Sequence, residues 1–460
     1  MAQEAAYYTR LMNWLKTLFP RNKKIPATRR VPRAEHPISR SQFPGGTLKV
    51  LYGLKDAGFQ AYVVGGGVRD LLAGMEPKDF DIATDARPEE IRRIFRSCRL
   101  IGRRFVIAHV RFGDEISEVT TFRGQITDSH ERDETGRILS DNEYGTLESD
   151  AFRRDFTVNA MYYDIRDFSI VDFAGGLDDI KAGVVRMIGD PELRYREDPV
   201  RMLRAVRIAN KLKFRIEKDT AAPIRRLAPL LREIPPARLF DEVIKLLQCR
   251  DALANLQGLH EYGLLAQLLP QTDAALAQPQ TRTFIEAALA NTADRIAGGQ
   301  TVSPAFLYAA LLWPAVNARQ KALGGNDVAQ INAAIAQASD EVLAQAAKHI
   351  IIPKRFSVPM REIWALQPRF DMRRGGRAQR LLTHPRFRAA YDFLLLRAQA
   401  GEMPQELADW WTQAQTGEGL PPLAPVAADG DSGEPRKRRR RRGGRGRRRP
   451  GEQPTPSPSA

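Results

Sequence analysis

The sequence predicts an α+β protein: a small mixed-sheet head, then an all-helical neck and body, then a disordered basic tail. Three observations carry this. Short apolar strands alternate with helices only between Leu48 and about Gly189. Beyond that point apolar residues recur at three- and four-residue intervals, as in "PVRMLRAVRIANKL" and "ARLFDEVIKLLQ". From about Gly419, Pro, Gly, Ala, Asp and Arg replace the large apolar residues that a core needs.

The elements follow in order. Residues up to about Arg40 are basic and weakly patterned and read as a leader, with Leu11, Trp14, Leu15 and Leu18 able to share one helical face. "LKVLYGLKDAGF" has helical spacing and stops at Gly58. "QAYVV" reads as a strand, "VRDLLAG" as a short helix and "KDFDIAT" as a strand. "RPEEIRRIF" is a helix opened by Pro88, with Glu89 and Glu90 at its positive end. "FVIAHVRF" and "ISEVTTFR" are strands joined at Gly113-Asp114. Residues 124–148 are polar and irregular, and a loop that long is usually functional. "DAFRRDFTVNAMYYDI" and the strand "SIVDF" complete the head, and only helices are expected afterwards. No fixed-period repeat is present, which excludes a solenoid.

Composition narrows the function classes. The 460 residues carry a net charge of +16, and eleven of the basic residues fall between Arg436 and Arg449 with no acid among them. That tract predicts a polyanion partner. Cys98 and Cys249 form no CxxC pair, and six scattered histidines offer no zinc spacing. A reducing cytoplasm is the expected compartment. No apolar run is long enough to span a bilayer, so membrane contact is at most peripheral.

Chemistry concentrates in "AYVVGGGVRDLLAGMEPKDFDIAT". On a strand, residues i and i+2 share a face, so Asp79 and Asp81 present two carboxylates on one side. Two like charges repel, and a divalent cation relieves them. Mg²⁺ takes one or two protein carboxylates plus phosphate oxygens, and a pair of such ions activates an attacking hydroxyl and stabilises a leaving pyrophosphate. A DxD in a solvated turn is the bland alternative, but Phe80, Ile82 and Ala83 suit a half-buried strand. Gly65-Gly66-Gly67 lies between a strand and a helix, where backbone amides can approach an anion. Neither GxxxxGKS nor GxGxxG is present. Arg69 could clamp a phosphate, with Asp70 orienting it.

These stretches, with "EVTTFR", "RRDFTVNAMYYD" and "REDPVRMLRAVR", run from Gly65 to Arg207. In kind and order they resemble the motifs of the polymerase-β-type nucleotidyltransferases, in the bacterial branch shared by poly(A) polymerases and CCA-adding enzymes. The resemblance implies a Mg²⁺- or Mn²⁺-dependent nucleotidyl transfer with Asp79 and Asp81 as metal ligands. Its "RRDFT" motif carries the third carboxylate to Asp155. Glu118, on a strand expected beside the DFD strand, is the rival. Arg154 is implied in phosphate contact and Asn159 near the ribose. Glu197, Asp198, Arg201 and Arg204 recur at helical spacing. Asp198 and Arg201 are assigned to base reading, with a surface salt bridge as the alternative, and Arg204 joins the nucleotide-binding set.

"LIGRRFVIAHV", "PARLFDEVIKLLQ", "IPKRF" and "HPRFRAAYDFLLLRA" resemble the poly(A) polymerase side of the branch. The implied activity is addition of AMP from ATP to RNA 3′ ends, with the CCA-adding activity and an inactive RNA-binding protein as alternatives. Expected divisions are a leader at 1–40, a catalytic head at 41–189 and a base-reading, RNA-binding neck at 190–260. An RNA-binding body at 261–418 and a tail at 419–460 follow. Arg436, Lys437, Arg438, Arg439, Arg440, Arg441 and Arg442 are the tail's expected RNA contacts. Single-stranded RNA ends and RNA-decay proteins are the implied partners, and DNA is not.

Overall fold

The computed structural model of the protein describes residues 27–102, 106–124, 143–374 and 376–416. The tail arginines, the amphipathic leader residues, most of the polar loop and the "RRF" of "LIGRRF" lie outside the described residues.

The head is built on an eight-stranded sheet, in the order β1-β8-β7-β2-β3-β6-β5-β4. Its strands are β1 (Arg29–Val31), β2 (Ala61–Val64), β3 (Asp81–Thr84) and β4 (Cys98–Ile101). β5 (Ile107–Phe112), β6 (Glu115–Thr121), β7 (Met161–Asp164) and β8 (Ile170–Asp172) complete it. Every pairing is antiparallel except β3 with β6. That parallel pair needs a crossover, and helix α3 (Pro88–Ile94) with β4 and β5 supplies it. Alternation along the strands sends Val63, Ile82 and Tyr163 to one apolar layer. Val64, Ala83 and Tyr162 go to the opposite one. Helix α1 (Gly45–Asp56) covers the first layer with Val50, Leu51 and Leu54.

The remaining head helices are short: α2 (Gly66–Leu72), α4 (Leu147–Arg153) and α5 (Gly176–Ala182). Thr146 caps α4 and accepts from Ser149 N. The neck follows as α6 (Pro191–Glu197) and α7 (Val200–Leu212). The apolar faces of α7, of Pro236–Leu247 and of Pro304–Leu323 share one core that reaches from Phe156 to Ala400. A smaller core under Gln405–Thr416 centres on Phe370, Phe387 and Trp411.

Four expectations change. Part of the stretch read as leader belongs to the sheet, because β1 pairs with β8 at its edge. The DFD strand begins only at Asp81, and Asp79 sits in the preceding loop. Helices are not alone after Gly189: Arg215–Ile216 pairs in parallel with Val184–Val185. Finally, Glu197 to Arg204 is not one helix. Asp198 is extended (φ −151°) before Pro199, whose ring disfavours helical geometry in the residue ahead of it.

Candidate active site

The glycine turn and the carboxylates meet because β2 and β3 are neighbours. Val64 stands opposite Asp81, and Asp81 stands in register with Glu118 on β6. Gly65 therefore lies beside Asp81. It holds φ +74°, which a side chain strains to reach. A Cβ there would stand 3.5 Å from Arg154 Nη1 and 3.6 Å from Asp81 Oδ2. The space between a cation and a carboxylate is thus kept free by a glycine. Gly67 has a different duty. Its Cβ would stand 2.7 Å from the Phe80 ring and 3.4 Å from Asp79 O, so the bare helix start lets the Asp79-Phe80 backbone pack against it.

Asp81 is mostly buried, and burial pushes its carboxyl up. Glu118 pushes it the same way and Asp79 adds to that, while Arg154 and Arg204 oppose. Asp79 is exposed in its loop, and Glu118 Oε1 lies 3.4 Å from His109 Nε2. Among the described residues, no three His, Cys, Asp or Glu side chains close into a ready-made metal cage. The donor set still fits a hard divalent ion: one half-desolvated carboxylate flanked by two others, open to ligand oxygens from outside the protein.

Arg154 is held in place beside this cluster. Its Nε donates to Tyr162 OH at 2.9 Å, its Nη2 donates to Asp150 Oδ2 at 2.9 Å, and its guanidinium lies 5.2 Å from the Tyr162 ring centre. Burial alone would raise the Asp150 carboxyl, but Arg154, Arg123 and Tyr162 hold it well below the usual carboxylate range. Arg194, fully buried, donates from Nη2 to the carbonyls of Arg153 and Arg154. It fixes the backbone that presents Arg154.

A second cluster is a chain of buried polar groups. Arg69 Nε and Nη2 donate to Asp70 Oδ1 at 2.9 and 2.6 Å, and its Nη1 donates to Asn159 Oδ1 at 2.7 Å. Asn159 Nδ2 donates to Asp155 Oδ1 at 2.9 Å. Arg204 Nε donates to Asp155 Oδ2, and Lys211 Nζ donates to Asp70 Oδ2, both at 2.6 Å. Burial opposes ionisation of Asp155, yet Arg204 and Asn159 keep its carboxyl far below the ordinary range. Asp70, Arg69, Asn159 and Asp155 therefore spend these groups on one another and on the neck helix. The carboxylate that the strand pairing brings next to Asp81 is Glu118.

A third cluster lies at the break between α6 and α7. Asp198 Oδ2 accepts from Arg238 Nη2 at 2.8 Å. Arg201 Nη1 donates to Glu197 Oε2 at 2.8 Å and to Arg194 O at 2.7 Å. Asp198 and Arg201 are electrostatic neighbours, but each has its own hydrogen-bond partner. Arg194, Lys211 and Arg238 were not singled out from the sequence. Lys211 is 141 residues from its partner Asp70, and no local pattern announces such a pair.

A mixed sheet with carboxylates at one strand end, a glycine turn beside them and a helical neck carrying a second polar face defines a nucleotidyltransferase. Comparison with known proteins agrees. The pattern described as "Poly A polymerase head domain" matches residues 61–186. "Probable RNA and SrmB- binding site of polymerase A" matches 213–276, and "Polymerase A arginine-rich C-terminus" matches 327–446. Poly(A) polymerase I of Salmonella typhi is 46% identical over 427 residues, covering 89% of this chain and 92% of its own. The Haemophilus influenzae poly(A) polymerase I is 44% identical, covering 87% and 92%. The chain belongs to the bacterial poly(A) polymerase family. A CCA-adding enzyme of Lactobacillus helveticus is 40% identical, but over only 43% of this chain. Among solved structures, the Thermotoga maritima CCA-adding enzyme complexed with tRNA superposes with a TM-score of 0.55 at 20% identity. It covers 86% of this chain and 87% of its own, and the likeness is one of fold.

Proposed function

We propose that this protein adds AMP from ATP, without a template, to the 3′ ends of RNA. Asp79, Asp81 and Glu118 would hold Mg²⁺ or Mn²⁺, which when bound would supply activation of the RNA 3′-hydroxyl and charge to offset the departing pyrophosphate. The turn at Gly65 and Gly66 admits the triphosphate to the backbone amides at the start of α2, and Arg154 offers Nη1 to it. The 3′ oxygen forms its bond to the α-phosphorus as the bond to pyrophosphate breaks. The chain's own contribution is positioning and charge stabilisation. Asp70, Arg69, Asn159 and Asp155 act as positioning residues that lock α7 onto the head. Asp198, steadied by Arg238, and Arg201, steadied by Glu197, face the base. In this reading the protein works in the bacterial cytoplasm, with Arg436 to Arg442 adding sequence-independent grip on RNA and decay proteins as its company.

The observation that carries the reading is the meeting of Gly65, Asp81, Glu118 and Arg154 at one end of the sheet. The near full-length similarity to poly(A) polymerase I selects tailing over CCA addition. One experiment separates the two: a short RNA, Mg²⁺ and each nucleoside triphosphate supplied alone. Long adenylate tracts support tailing. CMP incorporation on trimmed tRNA with no adenylate tract sinks it. An inactive RNA-binding protein would bind the RNA and extend it with nothing.

A further inference from the structure

Lined by none of the residues of the site described above, the body holds a cavity of about 290 Å³. One wall is the first turns of Val328–Ala346, the others are the turn Gln367–Asp371 and the helix Gly376–Leu382. Three arginines line it, Arg369, Arg377 and Arg380, with Met372 and Leu381 as apolar floor. Asn332 also lines it, and its Oδ1 is buried with no hydrogen-bond donor among the described residues.

Among the described residues the arginines have no carboxylate partners. Elsewhere in the body arginines are paired, Arg361 with Asp340, Arg386 with Glu362 and Arg388 with Asp392. Arg369 and Arg377 are in no ion pair among the described residues, and Arg380 only donates to Gly376 O at 3.1 Å. The acids adjacent in sequence to lining residues are Asp327, which caps its helix by accepting from Gln330 N, and Asp371, which does not line the cavity. Three unneutralised guanidinium forks around an apolar floor make a site for an anion carrying a flat or apolar body. No carboxylate lines the cavity, so nothing there would hold the metal that accompanies a triphosphate. A phosphodiester needs no metal. The orphan carbonyl of Asn332 has the chemistry to accept from a ribose 2′-hydroxyl, which DNA lacks.

We propose that this cavity is a strand-holding subsite that takes one nucleotide of single-stranded RNA upstream of its reacting 3′ end. It rests on the reading that RNA is the substrate, and it uses residues of the folded body and none of the tail arginines.

The test uses the full chain, a long labelled oligoadenylate and a trinucleotide primer with few nucleotides upstream of its 3′ end. Arg377→Ala with Arg380→Ala should weaken binding of the long RNA about five- to tenfold. It should also flatten the salt dependence of log Kd by about 1.4, the value for two lost contacts to a single strand. Activity on the trinucleotide and KM for ATP should not change. Asn332→Ala should weaken oligoriboadenylate but not oligodeoxyadenylate. Wild-type affinity and salt slope in the double variant would overturn the proposal. So would equal losses on long and short RNA, or ATP alone displacing the long RNA from a variant whose Asp81 is replaced by Asn. If the unaltered protein incorporates no AMP at all, the functional reading fails instead, and the binding arms still decide the subsite.

Discussion

Arg204 reaches from the neck helix to Asp155, Nε to Oδ2 at 2.6 Å, while Asn159 holds the other carboxylate oxygen at 2.9 Å. Asp155 is therefore tied to protein groups, whereas Glu118 stands in register with Asp81. Mg²⁺ titrations of activity should separate the two. Glu118→Gln should move the Mg²⁺ midpoint roughly tenfold upward, as for loss of a liganding or orienting group. Asp155→Asn should lower stability by about 3 kcal/mol, since it strands Arg204, and leave the midpoint in place. A shifted midpoint in Asp155→Asn with no change in Glu118→Gln would reverse the assignment.

Acid should act on the same pairs. Asp150 and Asp155 both have carboxyls held below their unfolded values, despite burial, chiefly by Arg154 and by Arg204 respectively. A depressed folded pKa contributes stability that is fully present above the unfolded value, near about pH 4, and is lost as pH falls towards the folded one. Urea midpoints of the protein and of Asp155→Asn should differ by a constant amount between about pH 6 and 8. They should converge below about pH 4. A gap that persists unchanged in strong acid would refute the ion-pair origin.

Gly67→Ala sets two effects against each other. Alanine in a helix gains up to about 1 kcal/mol over glycine. The new Cβ would stand 2.7 Å from the Phe80 ring, and overpacking of that kind costs about 1–3 kcal/mol. The clash should win. Displacing the Asp79-Phe80 backbone should lower kcat about 100-fold, as a misplacement of roughly 1 Å does. Single-turnover kinetics with saturating ATP would show it, and a wild-type rate would contradict it.

Asp81→Asn should abolish most activity, by about 100- to 1,000-fold in kcat, and yet raise the thermal midpoint in metal-free buffer. Burial and the nearby Glu118 and Asp79 all disfavour the charge that the substitution removes. A lower midpoint without metal would show that Asp81 has a structural role.

Much of the head is legible in sequence because its signals are local. A continuous apolar run marks β2, alternating ones mark β5 and β6, and Pro88 with two glutamates marks α3. The DFD pair is visible too, although Asp79 lies just outside the strand. What was hidden is what depends on which distant segments meet. The strand of Glu118 is expected beside the DFD strand, but choosing between Asp155 and Glu118 also requires knowing that Asp155 is tied to Arg204, 49 residues away. Arg69 and Asn159 are 90 residues apart, and Arg238 is 40 from Asp198. The three-residue β1 carries too little pattern to be distinguished from a basic leader.

The polar chain from Asp70 to Asp155 ends on one helix twice, at Arg204 and at Lys211. Those residues are seven positions apart, about 10 Å along the axis and nearly in line on one side. They act together with the apolar core that packs Phe156 and Val158 against the same helix. The carboxylate end of the sheet and the Asp198–Arg201 end of the helix are thereby held as one piece. Lengthening the RNA then has to slide the strand past a fixed frame, and any yielding joint lies beyond Leu212.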